Sequence, residues 1–161
     1  MRIYGRVLDL FGLLAGLGYA VTAVMTAIDV ALRNSGAGSI NGLVDLIEYG
    51  LFASTFLAAP WVLQQGGHVR VDFVVNTLPR FGRKAADMFG NLLGLLVSAI
   101  MLHYSVRVTV QAYDQGSLIL KSIVFPEWWA LAVIPVATLM LTVEFARRLF
   151  VAAQPGGRPE L

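Results

Sequence analysis

Four long stretches of this chain carry no formal charge, and a water-soluble fold has little use for such a pattern. No Asp, Glu, Lys or Arg occurs between Asp9 and Asp29, Glu48 and His68, Asp87 and Arg107, or Glu127 and Glu144; a lone imidazole, His103, falls in the third stretch. An ionised side chain at the bilayer centre costs roughly 2.5–3.5 kcal/mol even on the lenient insertion scale, so charge-free runs mark membrane spans. A helical span needs about 20 apolar residues. The sequence therefore predicts helices near 7–33, 42–65, 84–110 and 126–150. Composition agrees: 57 % of the 161 residues are hydrophobic and 14 % charged, where a soluble domain carries roughly 25 % charged residues. The expectation is an all-α integral membrane protein with one domain over 1–153 and a disordered tail over 154–161. Arg2 and Arg6 resemble a signal-peptide n-region, but the apolar stretch is too long and the Asp29/Arg33 pair reads as a helix end, not a cleavage site.

The absence of cysteine removes thiol nucleophiles, disulfides and cysteine-ligated metals. The two histidines, His68 and His103, lie near opposite membrane faces, roughly 25 Å apart by helical rise, and cannot share one haem iron. No motif for serine, zinc or phosphate chemistry is present, so no cofactor is expected. A net charge of +2 gives no reason to expect nucleic acid as a partner. The placement of the basic residues says more. Arg2, Arg6, Arg70, Arg80, Arg83, Lys84, Arg147, Arg148 and Arg158 fall on the side holding both termini, against Arg33 and Lys121 on the other. By the positive-inside rule both termini are cytoplasmic, and Trp128 and Trp129 open the fourth span at the outer interface. The connection after span two has Val71, Val74, Val75 and Leu78 at helical spacing, beside Arg70 and ended by Pro79. That pattern predicts a short helix over 70–79 in the inner interface, with Phe73 off the stripe.

A carrier needs ionisable or ion-coordinating groups near the midplane. Here Asp29, Asp45, Glu48 and Glu127 gather at the outer side and Asp9, Asp87 and Glu144 at the inner, where the stems of Glu127 and Glu144 can carry their charges to the interfaces. The mid-span polar residues Thr22, Ser54, Thr55, Asn91, Ser98 and Thr138 are modest groups suited to local or helix–helix hydrogen bonds. Pro60 and Pro135 are candidate kinks. Small residues recur every four positions: Gly12, Gly16 and Ala20; Gly50, Ser54 and Ala58; Gly90, Gly94 and Ser98. Such stripes let helix backbones approach, inside the bundle or against a partner. Among the outer charges, Asp29 and Arg33 stand four apart on one helical face, and Glu48 has Arg33 and Arg107 as natural partners.

The run Asp29-Val-Ala-Leu-Arg33, then Glu48, then Phe56-Leu-Ala-Ala-Pro-Trp-Val-Leu-Gln-Gln-Gly-Gly-His68-Val-Arg70-Val-Asp72-Phe resembles the DctQ-like small membrane subunit of TRAP (tripartite ATP-independent periplasmic) transporters. Arg33 stands where the family pattern has an arginine closing span one, and Glu48 where it has a glutamate in span two. His68 and Asp72 match the histidine and aspartate that begin the next connection. Asn41–Asp45, where family members often have a tryptophan, and Pro60 depart from the pattern. The resemblance implies a non-catalytic subunit of a bacterial or archaeal inner membrane. Its partners would be a large membrane subunit that holds the solute and sodium sites, a periplasmic solute-binding protein and the lipid bilayer. Asp29, Arg33, Glu48, Arg70 and Arg107 would then serve as structural or partner contacts, and His68 with Asp72, four apart, would tie the end of span two to the interfacial helix. Two other classes fit the residues less well. A glutathione-using membrane enzyme would recruit Arg70, Arg80, Arg83 and Lys84, residues the positive-inside rule already explains. A dimeric multidrug exporter needs a midplane glutamate, and Glu48 is too near an end.

Overall fold

The computed structural model describes residues 2–36, 38, 40–65 and 80–153. Its elements are α1 (Arg2–Asn34), α2 (Leu43–Gln64), α3 (Arg80–Gln115), a hairpin of β1 (Leu118–Leu120) and β2 (Val124–Pro126), α4 (Glu127–Leu131) and α5 (Val133–Ala153). Among these residues four helical stretches are long and apolar enough to cross a membrane, α4 and α5 together forming the fourth. The interfacial helix expected over 70–79, with His68, Arg70 and Asp72, lies outside the described residues, as does the tail over 154–161.

Local chemistry sets the breaks. α3 stops at a Schellman turn: Gly116 takes φ +61°, its N–H donates to Tyr113 O (3.1 Å), and the Ser117 N–H donates to Ala112 O (3.1 Å). The gap between α4 and α5 has its cause in Pro135, whose ring would clash with the Leu131 carbonyl four residues back. Pro60, by contrast, sits buried inside a continuous α2. The hairpin pairs Leu118 with Pro126, Ile119 with Phe125 and Leu120 with Val124. It adds a two-stranded element to the expected all-helical fold.

The helices form a row rather than a closed bundle: α1 packs on α2, α2 on α5, and α5 on α3, while α1 and α3 stand at the two ends. α1 runs antiparallel to α2, and α3 antiparallel to α5. The seams repeat every seven residues. Leu8, Ala15, Thr22 and Asp29 are the buried positions of α1, and Ser98, Ser105 and Ala112 those of α3. That period is the signature of left-handed, knobs-into-holes packing. Small side chains dominate the seam because lipid supplies no hydrophobic drive, so close approach must supply the attraction.

The expected four-residue stripes are therefore used only in part. A Cβ on Gly12 would come within 2.6 Å of the Trp61 ring, one on Gly50 within 2.7 Å of the Thr22 methyl, and one on Gly94 into the Phe145 ring. Ser54 lies against Gly18, a contact the stripes did not anticipate. Gly16 and Gly90 face open space. Gly12→Ala should lower thermal stability in detergent. Gly16→Ala and Gly90→Ala should hold or raise it, since alanine gains roughly 0.8–1 kcal/mol of helix propensity where nothing collides.

The outward surfaces are apolar. On α3, Phe89, Leu92, Leu93, Leu96 and Ile100 are all about half exposed or more. An aqueous domain does not carry a continuous face of that kind, whereas a bilayer or a membrane partner covers it.

Candidate functional site

The functional groups collect at the two ends of the row. At the hairpin end, Arg33 Nε donates to Asp29 Oδ2 at 2.8 Å, the pairing expected from their spacing. The antiparallel register of α1 on α2 sets Asp29 level with the first turn of α2, whose Gly42 cap (φ +81°) offers no side chain. A carboxylate there is favoured by the positive end of the helix dipole. Asp29 Oδ1 is buried with no partner among the described residues.

Glu48 does not pair with Arg33 or Arg107. Its Oε2 accepts from Lys121 Nζ at 2.8 Å, and Lys121 also stands over the Tyr49 ring, 5.2 Å from its centre. Asp45 Oδ2 accepts the Ser122 backbone N–H at 2.9 Å, Phe125 meets Tyr49 edge-on, and Ile123 fills the space a side chain on Gly42 would need. The hairpin thus folds over the start of α2 and links it to α3 and α4. Spacing alone could not reveal this, because Lys121 lies 73 positions from Glu48 in a loop without strong strand pattern. The hydrogen bond it donates to Glu48 holds the Lys121 ammonium above its ordinary pKa. A raised lysine pKa favours the folded state below the unfolded value, and the gain fades as pH rises through the folded one. The pair is solvent-exposed, so Lys121→Gln should leave thermal stability nearly unchanged at neutral pH. Arg107 is exposed on α3 and joins neither pair.

At the end carrying the termini, sequence reading missed the main feature. Glu144 was expected to send its charge to the interface; instead its side chain is fully buried. Arg147 donates to it from Nε (3.0 Å, to Oε2) and from its terminal nitrogen (2.7 Å, to Oε1). Arg148 Nε donates to Oε1 at 3.1 Å, and the other arm of Arg148 donates to the Leu63 carbonyl at the end of α2. Tyr4 of α1 donates to the Met140 carbonyl at 3.4 Å. Three helices thus meet around one carboxylate. The Glu-x-x-Arg-Arg spacing, acids and bases three and four apart, was the available signal.

Between these ends most of the polar groups are hydroxyls bonded within their own helix or across a seam. Thr22 donates to Gly18 O or Tyr19 O, Ser98 to Leu95 O, and Thr138 to Ile134 O. Ser105 and Thr138 meet across the α3–α5 seam at 3.5 Å. Tyr19 and Thr55 join α1 to α2 at 2.9 Å, with Thr55 donating onward to Leu51 O. Among the described residues every charged side chain within a span lies within about two turns of one of its ends. No group of three His, Cys, Asp or Glu side chains among them is placed to hold a metal ion. His103 stands on the exposed side of α3, its ring edge-on to Tyr104. Among the described residues no charged or metal-ligating cluster lies near the middle of the spans.

The structure is thus a layer of spanning helices with bare apolar sides and its charged groups near the span ends. Residues 22–154 match the family model described as tripartite ATP-independent periplasmic transporters, DctQ component, and the chain belongs to that family. It is also similar to the ectoine TRAP transporter small permease protein TeaB of Halomonas elongata, with 24 % identity over 133 residues, covering 83 % of this chain and 68 % of that protein. The chain is thus the small subunit of a TRAP transporter, a multi-pass inner-membrane protein and a transporter component rather than an enzyme. Membership implies a large membrane subunit and a periplasmic binding protein as companions.

Proposed function

We propose that this subunit is a static scaffold against which a larger permease subunit moves, and that its hairpin end, facing the periplasm, forms part of the docking surface for a solute-binding protein. Both termini would then be cytoplasmic, as the basic residues favour. The transporter would take up a small organic acid or similar solute driven by a cation, with solute and cation bound in the large subunit. The single observation that supports the scaffold reading most is the mid-membrane layer. Its hydroxyls are spent on neighbouring backbone and on each other, and charge is confined to the span ends. The open row adds to this, since its apolar sides need a membrane partner or lipid to cover them. The exporter reading loses ground because Glu48 lies in the second turn of α2 and is tied to Lys121.

Extraction in a mild detergent tests this reading. The tagged chain should carry a larger, many-span membrane protein through affinity and size-exclusion steps. Recovery of the chain alone, from cells in which the large subunit transports normally without it, would overturn the scaffold role.

A further inference from the structure

We infer that a cleft at the hairpin end receives a lysine or arginine side chain of the solute-binding protein; this rests on the docking role proposed above. The cleft holds about 190 Å³, enough for several waters or one long cationic side chain. Its polar wall is Gln111 and Gln115 of α3, Ser117 and Glu127, with Ala112 and Leu131 behind them.

Backbone hydrogen bonds set the positions from which the lining residues project. The Schellman turn at Gly116 sets Gln115 and Ser117, and the Glu127 N–H donates to the Ser117 carbonyl at 2.9 Å, closing the base of the hairpin. Among the described residues the Glu127 carboxylate makes no ion pair or side-chain hydrogen bond, although it is half-buried. A carboxylate is an acceptor only and carries charge, while the two amides can donate or accept, so it is Glu127 that makes a cationic donor the complementary ligand.

Among the described residues this chain does not supply that ligand. Lys121 is held by Glu48 and Arg33 by Asp29, while Arg107, one turn inward of Gln111, forms no ion pair with Glu127. A soluble partner approaching this face can insert a cation without rearranging the helices, and charge complementarity is what steers and registers such encounters.

The test uses the small–large subunit complex in lipid nanodiscs and its own solute-binding protein, with affinity measured at several salt concentrations. Glu127→Gln should weaken binding about tenfold and flatten its salt dependence, and Glu127→Lys should weaken it further. Asp114→Asn, which removes a neighbouring exposed acid outside the cleft, should change affinity less than about twofold. Each variant is first confirmed to co-elute with the large subunit. If the wild-type complex binds but both Glu127 variants bind equally well, the cleft assignment fails and the docking role stands. If the wild-type complex does not bind at all, the docking role fails with it. Native mass spectrometry showing an aminophospholipid held by wild type and lost in Glu127→Gln, with protein affinity unchanged, would assign the cleft to a headgroup and overturn the proposal.

Discussion

Glu144→Ala is expected to be the most damaging single substitution in this chain. The carboxylate is fully buried and accepts from both Arg147 and Arg148, so its loss leaves two guanidinium groups facing one another across an empty site. Removing one partner of a buried ion pair costs about 3–5 kcal/mol, and the loss here lies toward the lower end because Arg147 is part-exposed and can turn to water while Arg148 is left largely buried. Arg148 also holds the Leu63 carbonyl, so the contact between α5 and the end of α2 should loosen as well. Glu144→Gln keeps the shape and one acceptor and should lie between wild type and alanine. Thermal unfolding in detergent, followed by size-exclusion fluorescence, measures the order. Equal stability of all three forms would show that the cluster contributes nothing to the assembly of α1, α2 and α5.

The second large effect is expected at Gly94. A Cβ there would overlap the Phe145 ring, which is itself buried in the α3–α5 seam. Overpacking of this kind costs about 1–3 kcal/mol, and more when both sides are helix backbone or aromatic ring with nowhere to go. Gly94→Val should therefore splay α3 from α5, the pair at one end of the row, while leaving α1 on α2 intact. Phe145→Leu on that background should recover part of the loss by making room. Cysteine pairs placed across each seam in this cysteine-free chain would read the two interfaces separately: cross-linking should fall at α3–α5 and persist at α1–α2. Loss at both seams would contradict the row architecture.

What the sequence revealed and what it hid divide along physical lines. Charge-free runs exposed the spans because the bilayer penalises each buried charge strongly and independently of its neighbours. The Asp29–Arg33 pair was legible because both residues lie on one helix. The seam was legible only in outline. Glycines at four-residue spacing mark a face, but helices that pack over many turns follow a seven-residue repeat, and along α1 the two drift apart. Hence Gly12 is packed and Gly16 is bare, while the buried line runs through Ala15, Thr22 and Asp29. Glu48 found Lys121 because the hairpin folds back over α2, a tertiary event with no local signature. Glu144 was misread since an isolated acid near a span end ordinarily snorkels; here two arginines in the next turn satisfy it inside.

These particulars also bear on function. At the end carrying the termini Arg148 and Tyr4 join α5 to α2 and α1, and at the hairpin end the Asp45 and Glu48 contacts join α2 to the hairpin. Ser105–Thr138 and Tyr19–Thr55 cross the seams between, so neighbouring helices are linked at three levels. Linkage of that kind suits a brace. An alternating-access carrier instead needs a site near the midplane and two discrete packings around it.

The most direct measurement of the central claim is reconstitution. Proteoliposomes are made with this subunit alone, with the large subunit alone, and with both, each supplied with the solute-loaded binding protein and a cation gradient. Saturable uptake should require the large subunit and be absent from vesicles holding only this chain. Solute flux or current carried by this chain unaided would contradict the account.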